Sequence, residues 1–321
     1  MHRRTLIASL ALPMLPWSAL AQAWPSRPVR IIVPAPAGSS LDIIARLLGD
    51  RLKDRWGQAV VVENRPGAGG MLGVDVAAKA APDGHTLALA FNGPIAFAPH
   101  LYRKMPYDPA RDLVPLIMTT SQANVLAVNS SVPVRTVREL VDWAKARTDG
   151  IKYSSLGQGS SAHLTMELFL AEAGLKGLHV PFNGSPPAAL ALAQAEVDAS
   201  FMVAPALLAH VRAGKVRLLA VSSGQRSESM KDLPTLVESG YREVESLAWN
   251  GLFSAAGTPD GVAQKIAADV NAALQEPMIR SALEAQGLSA VGGSAAEFRK
   301  VLVDDARRWG AVIQRIGLKI D

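Results

Sequence analysis

The chain contains no cysteine, which excludes disulfide stapling, thiol catalysis and cysteine-ligated metal together. Aromatic residues are scarce, at 5% of 321, and no aromatic and basic side chains gather on one face in the manner of a nucleic-acid platform. Neither charge sign dominates. Thirty-three Lys and Arg stand against 28 Asp and Glu, a formal net charge of +5, and they are scattered rather than grouped into an arm. Nucleic acid is therefore not an expected partner. The sequence has no His-Glu-x-x-His, and His85, His100, His163, His179 and His210 are dispersed without metal-ligand spacing. A Gly-x-Ser-x-Gly elbow is also missing, so a serine hydrolase would lack its usual signature. The apolar stretch from Thr5 to Ala23 is short for a membrane span and is broken by Pro13 and Pro16.

That stretch has another reading. It follows His2-Arg3-Arg4 and ends in Ala21-Gln22-Ala23, the small-x-small pattern of a signal peptidase site. Residues 1–23 are thus expected to be a signal peptide that sends the protein to the periplasm by the general or the twin-arginine route. Removing Arg3 and Arg4 with the leader lowers the formal net charge from +5 to +3.

The rest is rich in core-forming residues, 49% of the chain being hydrophobic, and strand-like runs alternate with helix-like ones. Strands are expected at "VRIIV", at Ala59–Asn64, at His85–Phe91, at Asn124–Asn129, and in "IKYSS", "LHVPF", "VDASFM" and "VRLLAVSS". A late strand is expected at Ser246–Ala256. Between them, Leu41 to Trp56 reads as a helix with Ile44, Leu47, Leu48 and Leu52 on one face. Pro259 to Leu318 reads as helical, with a capping box at Ser294 and Glu297 and a core stripe of Phe298, Val301, Leu302, Trp309, Val312, Ile313 and Ile316. Repeated β-α units predict largely parallel sheets covered by helices. The chain is divided into two α/β lobes, residues 24–123 plus 224–321 and residues 124–223.

Two loops share Gly-Ser-Ser. Gly38-Ser39-Ser40 and Gly159-Ser160-Ser161 each follow a predicted strand and precede a predicted helix. At such a junction the first backbone N–H groups lack helical partners, and the helix dipole favours an anion. Neither loop has the lysine of a phosphate loop, so neutral donors of this kind suit a carboxylate better than a polyphosphate. Each Ser is also an ordinary N-cap; the pairing of the loops is what points to a ligand.

The blocks "WPSRPVRIIVPAPAGSSLDIIARLL", "VVVENRPGAGG", "AAPDGHTLAL", "LYRKMPYDP", "KYSSLGQGSSAHLTMELF", "HVPFNGS", "AGKVRLLAVSS" and "GLFSAAGTP" occur in an order that resembles the Bug-type extracytoplasmic solute receptors of tripartite tricarboxylate transporters. The resemblance covers essentially the whole mature chain. It implies a type II periplasmic-binding fold, α/β, with two lobes, a hinge and a central cleft, and a small carboxylate held between two loops. Carried over, the loops are Ala37, Gly38, Ser39, Ser40 and Leu41, and Gly157, Gln158, Gly159, Ser160 and Ser161. It also implies a monomer that needs no cofactor, performs no catalysis and delivers its ligand to membrane transporter subunits or a sensor protein.

Two positions depart from the family pattern. Pro34-Ala35-Pro36 replaces the usual Pro-Phe opening of the first loop, and Met202 stands where many members carry Asp. Facing the cleft, Met202 would leave no carboxylate to meet an ammonium, which points to an acid without a free amine; as core filler it would carry no such message. Asn92 ends the third strand and is expected at the ligand. Trp249 either borders the ligand or covers the sheet. Phe182, with Asn183, Gly184 and Ser185, is a candidate third wall. "RPGAGGMLG" fails as a dinucleotide fingerprint because Leu72 occupies the third glycine position, and it reads as a loop that starts a helix. A sensory subunit without a transport role and an exported hydrolase with an unrecognised site stay open.

Overall fold

The computed structural model describes residues 24–226 and 230–320; the expected signal peptide lies outside them. Among the described residues, eleven strands form two mixed sheets. The first contains β1 (Val29–Val33), β2 (Val60–Asn64), β3 (Thr86–Phe91), β4 (Leu113–Ala123), β10 (Leu247–Ala255) and β11 (Ser289–Ala290), in the order β11-β4-β10-β3-β1-β2. The second contains β5 (Val125–Asn129), β6 (Ile151–Ser155), β7 (Gly177–Pro181), β8 (Ala199–Met202) and β9 (Val216–Val221), in the order β7-β6-β8-β5-β9.

The sheets are less uniformly parallel than the β-α alternation predicts. β1 pairs in parallel with β2 and β3, and β6 with β7 and β8. β10 instead runs antiparallel to β3 and β4, and β5 antiparallel to β8 and β9. The reversals belong to the strands at the crossings between sheets, which enter from the neighbouring half rather than through a β-α-β unit. The 11-residue β4 is absent from the sequence reading, because Pro115 and the polar run Thr119-Thr120-Ser121-Gln122 disguise it. Its pairing with β10 shifts register between Leu252 and Phe253, where Phe253 faces Pro115. A proline within a sheet is commonly accommodated at such an irregularity.

Where the chain crosses between the sheets, buried polar groups are tied together. Asn124 N–H donates to Ser222 Oγ (2.9 Å) and Ser222 N–H to the Asn124 carbonyl (2.8 Å). Asn124 Nδ2 donates to Ser246 Oγ (3.2 Å), which also accepts from Thr165 Oγ1 (2.7 Å). The C-terminal region resolves into helices Asp260–Leu274, Pro277–Glu284 and Ala295–Ile316, the last with the expected capping box. Phe298, Trp309 and Ile313 of that helix are buried, and it packs on β4 and on the turn Gly93–Phe97. No helix among the described residues is long and apolar enough to cross a membrane.

Candidate functional site

A cavity of about 600 Å³, part of it open to solvent, lies between the two sheets. One wall is made by Pro34, Ala35, Pro36, Ser39, Ser40 and Leu41, in the segment that leaves β1 and enters the helix Ser40–Trp56. Ser39, in extended conformation, caps that helix by accepting from Asp42 N–H at 3.3 Å. In return Asp42 Oδ2 accepts from Gly38 N–H at 2.9 Å. The amides of residues 38 and 42 are thus consumed locally, and that of Ser39 bonds the Pro36 carbonyl. Ser40 and Leu41 occupy the first helical positions, whose N–H groups have no carbonyl one turn back. Both residues line the cavity. Burial pushes the Asp42 carboxyl upward, but hydrogen bonds from Arg46, Gly38 and Asn64 outweigh it and hold the group below the usual carboxylate range. Its charge is met by Arg46 at 2.9 Å, so the loop presents no net negative field to an incoming anion.

The second loop is built alike. Ser160 is extended and caps the helix Ser161–Ala173 through His163 N–H, at 3.3 Å. Its own N–H and Oγ both donate to the Gly157 carbonyl, at 3.2 and 2.8 Å. Gly159 N–H is taken by His163 Nδ1 at 3.1 Å, and Gly157 N–H by Ser155 Oγ at 3.2 Å. Ser161, first in its helix, faces the cavity. Behind the loop, His163 stacks on His179 with ring centres 3.9 Å apart. Burial, with the neighbouring His179, pushes His163 down to about 3; burial pushes His179 down to about 4. Ser155 Oγ and His179 Nε2 are 2.7 Å apart, the spacing of a serine–histidine pair. Ser155 is fully buried, its oxygen bonded to Gly157, and neither residue lines the cavity. The pair therefore reads as a clasp under the loop.

The floor consists of carboxamides. Asn92 follows β3, Asn250 lies on β10 and Gln122 on β4, and these strands are neighbours in the first sheet. The other half contributes Leu156, Asn183, Gly184, Ser185 and Val203 beside Ser161. Pro66 to Gly70, with Phe91, completes the wall toward the helix Met71–Ala78. Among the described residues, no ionisable side chain lines the cavity.

The cavity thus brings together Ser39, Ser40, Leu41, Asn92 and Ser161 of the expected residues. Ala37 and Gly38 are exposed and lie off its wall. Gly157, Gln158, Gly159 and Ser160 also lie off it, because that loop folds on its own carbonyls and stands at the rim. Phe182 packs toward the core of the second sheet, and the three residues after it form the wall. Met202 corrects an expectation: it is fully buried in that core with Val125, Ala127 and Leu207. Trp249 is a second correction. It is buried beside Phe253 and Phe298, its Nε1 donating to Asp305 Oδ2 at 2.8 Å, while its strand neighbours Ala248 and Asn250 face the cavity. Sequence reasoning missed Gln122, Asn250 and Val203, and the place of Pro66, Gly67, Gly69 and Gly70 on the cavity wall.

At the rim the two halves touch through glycines. A Cβ on Gly69 would stand 2.7 Å from the Gln158 carbonyl oxygen, and one on Gly184 would overlap the Pro36 ring. Gly157 lies against Gly69 itself.

Residues 44–318 match the model of the tripartite tricarboxylate transporter family receptor. The chain is 36% identical to Protein BugT of Bordetella pertussis, over 94% of this chain and 92% of that protein. It is 34% identical to a UPF0065 protein in the tcbD-tcbE intergenic region of Pseudomonas sp. strain P51, covering 97% and 94%. Among solved structures, a protein of R. palustris with adipate superposes with a TM-score of 0.89 at 32% identity, covering 92% of this chain and 99% of that one. MatC of Rhodopseudomonas palustris with bound malate gives 0.85 at 30% identity, covering 90% and 100%.

Proposed function

The chain belongs to the tripartite tricarboxylate transporter receptor family, and from that premise we propose that it is a periplasmic receptor that closes its two lobes on one small carboxylate and delivers it to membrane transporter subunits. The observation that carries the reading is the convergence of two helix N-termini, at Ser40-Leu41 and at Ser161, on one cavity from opposite sheets. Adipate and malate, held by the two neighbours, are both carboxylates. Each helix end supplies at most about 2 kcal/mol to a partly buried anion, whereas micromolar binding needs about 8 kcal/mol. Direct N–H bonds and the expulsion of water on closure supply the remainder.

The lining supports a finer reading. With no Lys or Arg among its described residues, every negative charge on the ligand is met by neutral N–H and O–H donors. With no Asp or Glu, an ammonium would be buried without a partner. The ligand is therefore a carboxylic acid without a free amine, aliphatic or aromatic, packed by Pro34, Pro66, Phe91, Leu156 and Val203. This ground replaces Met202, which lies in the core. We place the lobe boundaries at residues 24–123 plus 224–321 and 124–223, where the chain crosses at Asn124 and Ser222.

Proline substitution tests the grip. Ser40 and Ser161 are first helical residues, each preceded by an extended serine, a setting that accepts proline. Ser40→Pro and Ser161→Pro each delete one N–H and leave the helix in place, whereas Ser40→Ala and Ser161→Ala keep it. By calorimetry with an acid found by thermal-shift screening, the prolines weaken binding about tenfold or more and the alanines much less. Equal affinity of proline and alanine variants would remove the helix-end grip from the proposal.

A further inference from the structure

The helix Ala295–Ile316 ends at Gly317, whose left-handed backbone (φ +67) turns the chain back so that Leu318 N–H meets the Ile313 carbonyl at 3.2 Å. Further on, Ile320 N–H donates to the Leu101 carbonyl at 3.0 Å. Ile320 is buried in the core cluster that contains Leu101, with Tyr102 and Leu318 packed against it. This seat lies against the opposite half of the molecule. A Cβ placed on Gly159 of the second loop would stand 2.9 Å from Leu101 Cδ1, 3.8 Å from Tyr102 Cε2 and 3.9 Å from Ile320 Cδ1. Next to it, a Cβ on Gly93 would come within 3.1 Å of the Gly159 carbonyl oxygen. Gly93, Leu101 and Tyr102 lie between β3 and β4 of the first sheet. The second loop therefore drops its bare Gly159 into an apolar socket, and the C-terminal tail is one side of that socket.

None of Leu101, Tyr102 and Ile320 lines the cavity, so the socket does not touch the ligand. Its leverage runs along the loop. Gly159 comes shortly before Ser161, whose helix end faces the cavity, and its N–H is held by His163 Nδ1 of that helix at 3.1 Å. A loop that leaves the socket carries the helix entry with it. With the halves apart, the apolar surface that Gly159 covers is open to water; with the halves together it is buried, which favours the closed form. The bond to Leu101 keeps Ile320 on the first half throughout and leaves its side chain as the part that engages. We propose that the tail is a latch: Ile320, held on Leu101, is a positioning residue that seats the second loop and so presents the Ser161 helix end to the acid. This rests on the carboxylate-receptor reading above and assigns part of the closing of that receptor to a segment outside its cavity. A latch changes how often the closed form is populated, not what the ligand touches, so its loss weakens every acid by the same factor.

The test measures binding of adipate, malate, benzoate and butanoate by isothermal titration, with urea denaturation of each protein alongside. Ile320→Ala removes the side chain that meets Gly159 and keeps the N–H on Leu101. It is expected to weaken every acid that binds the wild type by about fivefold or more, the factors agreeing to within about twofold. Ile320→Leu refills the socket and brings affinity back to within about twofold of the wild type. Ile313→Ala, a truncation in the buried face of the preceding helix, is the control: it lowers the urea midpoint and leaves affinity within about twofold. If the acids bind but Ile320→Ala holds them as tightly as the wild type, or if Ile320→Leu does not recover the loss, the latch is overturned and the carboxylate receptor stands. Losses that differ from acid to acid also overturn it. Hydrogen exchange in the wild-type C-terminal peptide that contains Ile320 is expected to slow about fivefold or more on saturation with a bound acid. Exchange unmoved by ligand overturns the latch without any variant, so a poorly folded Ile320→Ala protein does not spare the proposal. If none of the four acids binds, the receptor reading itself fails for these classes and the latch falls with it.

Discussion

His163 supports the second loop by accepting the Gly159 N–H, which it can do only while Nδ1 is unprotonated. Burial pushes the ring to about 3 and its stacked neighbour His179 to about 4. The unfolded chain takes up protons on both as pH falls through about 6.5, and the native state does not. Stability is therefore complete above that pH and declines below it. Asp305, under Trp249, acts with opposite sign: burial pushes it up to about 6, so the native state binds a proton there before the unfolded state does. Between about pH 6 and pH 4 the histidines outnumber the aspartate, and the net decline is about 1.4 kcal/mol per pH unit for one uncompensated proton. Urea denaturation at stepped pH should show His163→Asn flattening the decline and Asp305→Asn steepening it. At this scale, of the residues expected at the ligand, Ser39, Ser40, Leu41, Asn92 and Ser161 line the cavity, all of them at or just after the end of a strand. The sequence did not separate Trp249 from Asn250 or Met202 from Val203. Alternate side chains leave a strand on opposite faces, and in β8 and along nearly all of β10 both faces are buried, so hydrophobicity does not mark which side meets the cavity.

Helix entries do two jobs in this protein, closing the chain's own hydrogen bonds and leaving the next amides outward. Ser39 and Ser160 perform the first and Ser40 and Ser161 the second. Ser39→Ala should lower global stability by about 1 kcal/mol through loss of the cap, measured by urea titration, and weaken acid binding less than Ser40→Pro does. The helix Ser40–Trp56, the strands of the β-α units and the capping box at Ser294 were legible because short-range periodicity and caps determine them. β4 was not. Its polar end and Pro115 contradict strand propensity, and its pairing with β10 is a long-range fact. That strand supplies Gln122, so missing it meant missing part of the floor. The glycine run 67–70 was read as a helix start, which it is; its place beside the cavity depends on the opposite half of the molecule.

The halves meet at the rim through main-chain atoms of Gly69 with Gln158 and Gly157, and through Gly184 against the Pro36 ring. Gly69→Ala and Gly184→Ala put a methyl group into that contact. Both glycines have positive φ, so backbone strain accompanies the clash; Gly174→Ala has the same strain, φ +64 against φ +62 at Gly69, with nothing within 4 Å. We expect the two rim variants to bind acid about tenfold more weakly than the Gly174→Ala control and to stay expanded in small-angle scattering when the control contracts with ligand. Equal contraction would show that the rim contact does not govern closure. Two lobes were readable from the β-α alternation and the resemblance, but the seam between them was not, since it joins residues far apart in the chain. A seam made of glycines and one proline ring carries no polar side chain. On the receptor reading proposed above, that seam is separate from the carboxamide floor of Asn92, Gln122 and Asn250, so exchanging a floor residue would change which acid is held and leave the jaw as it is.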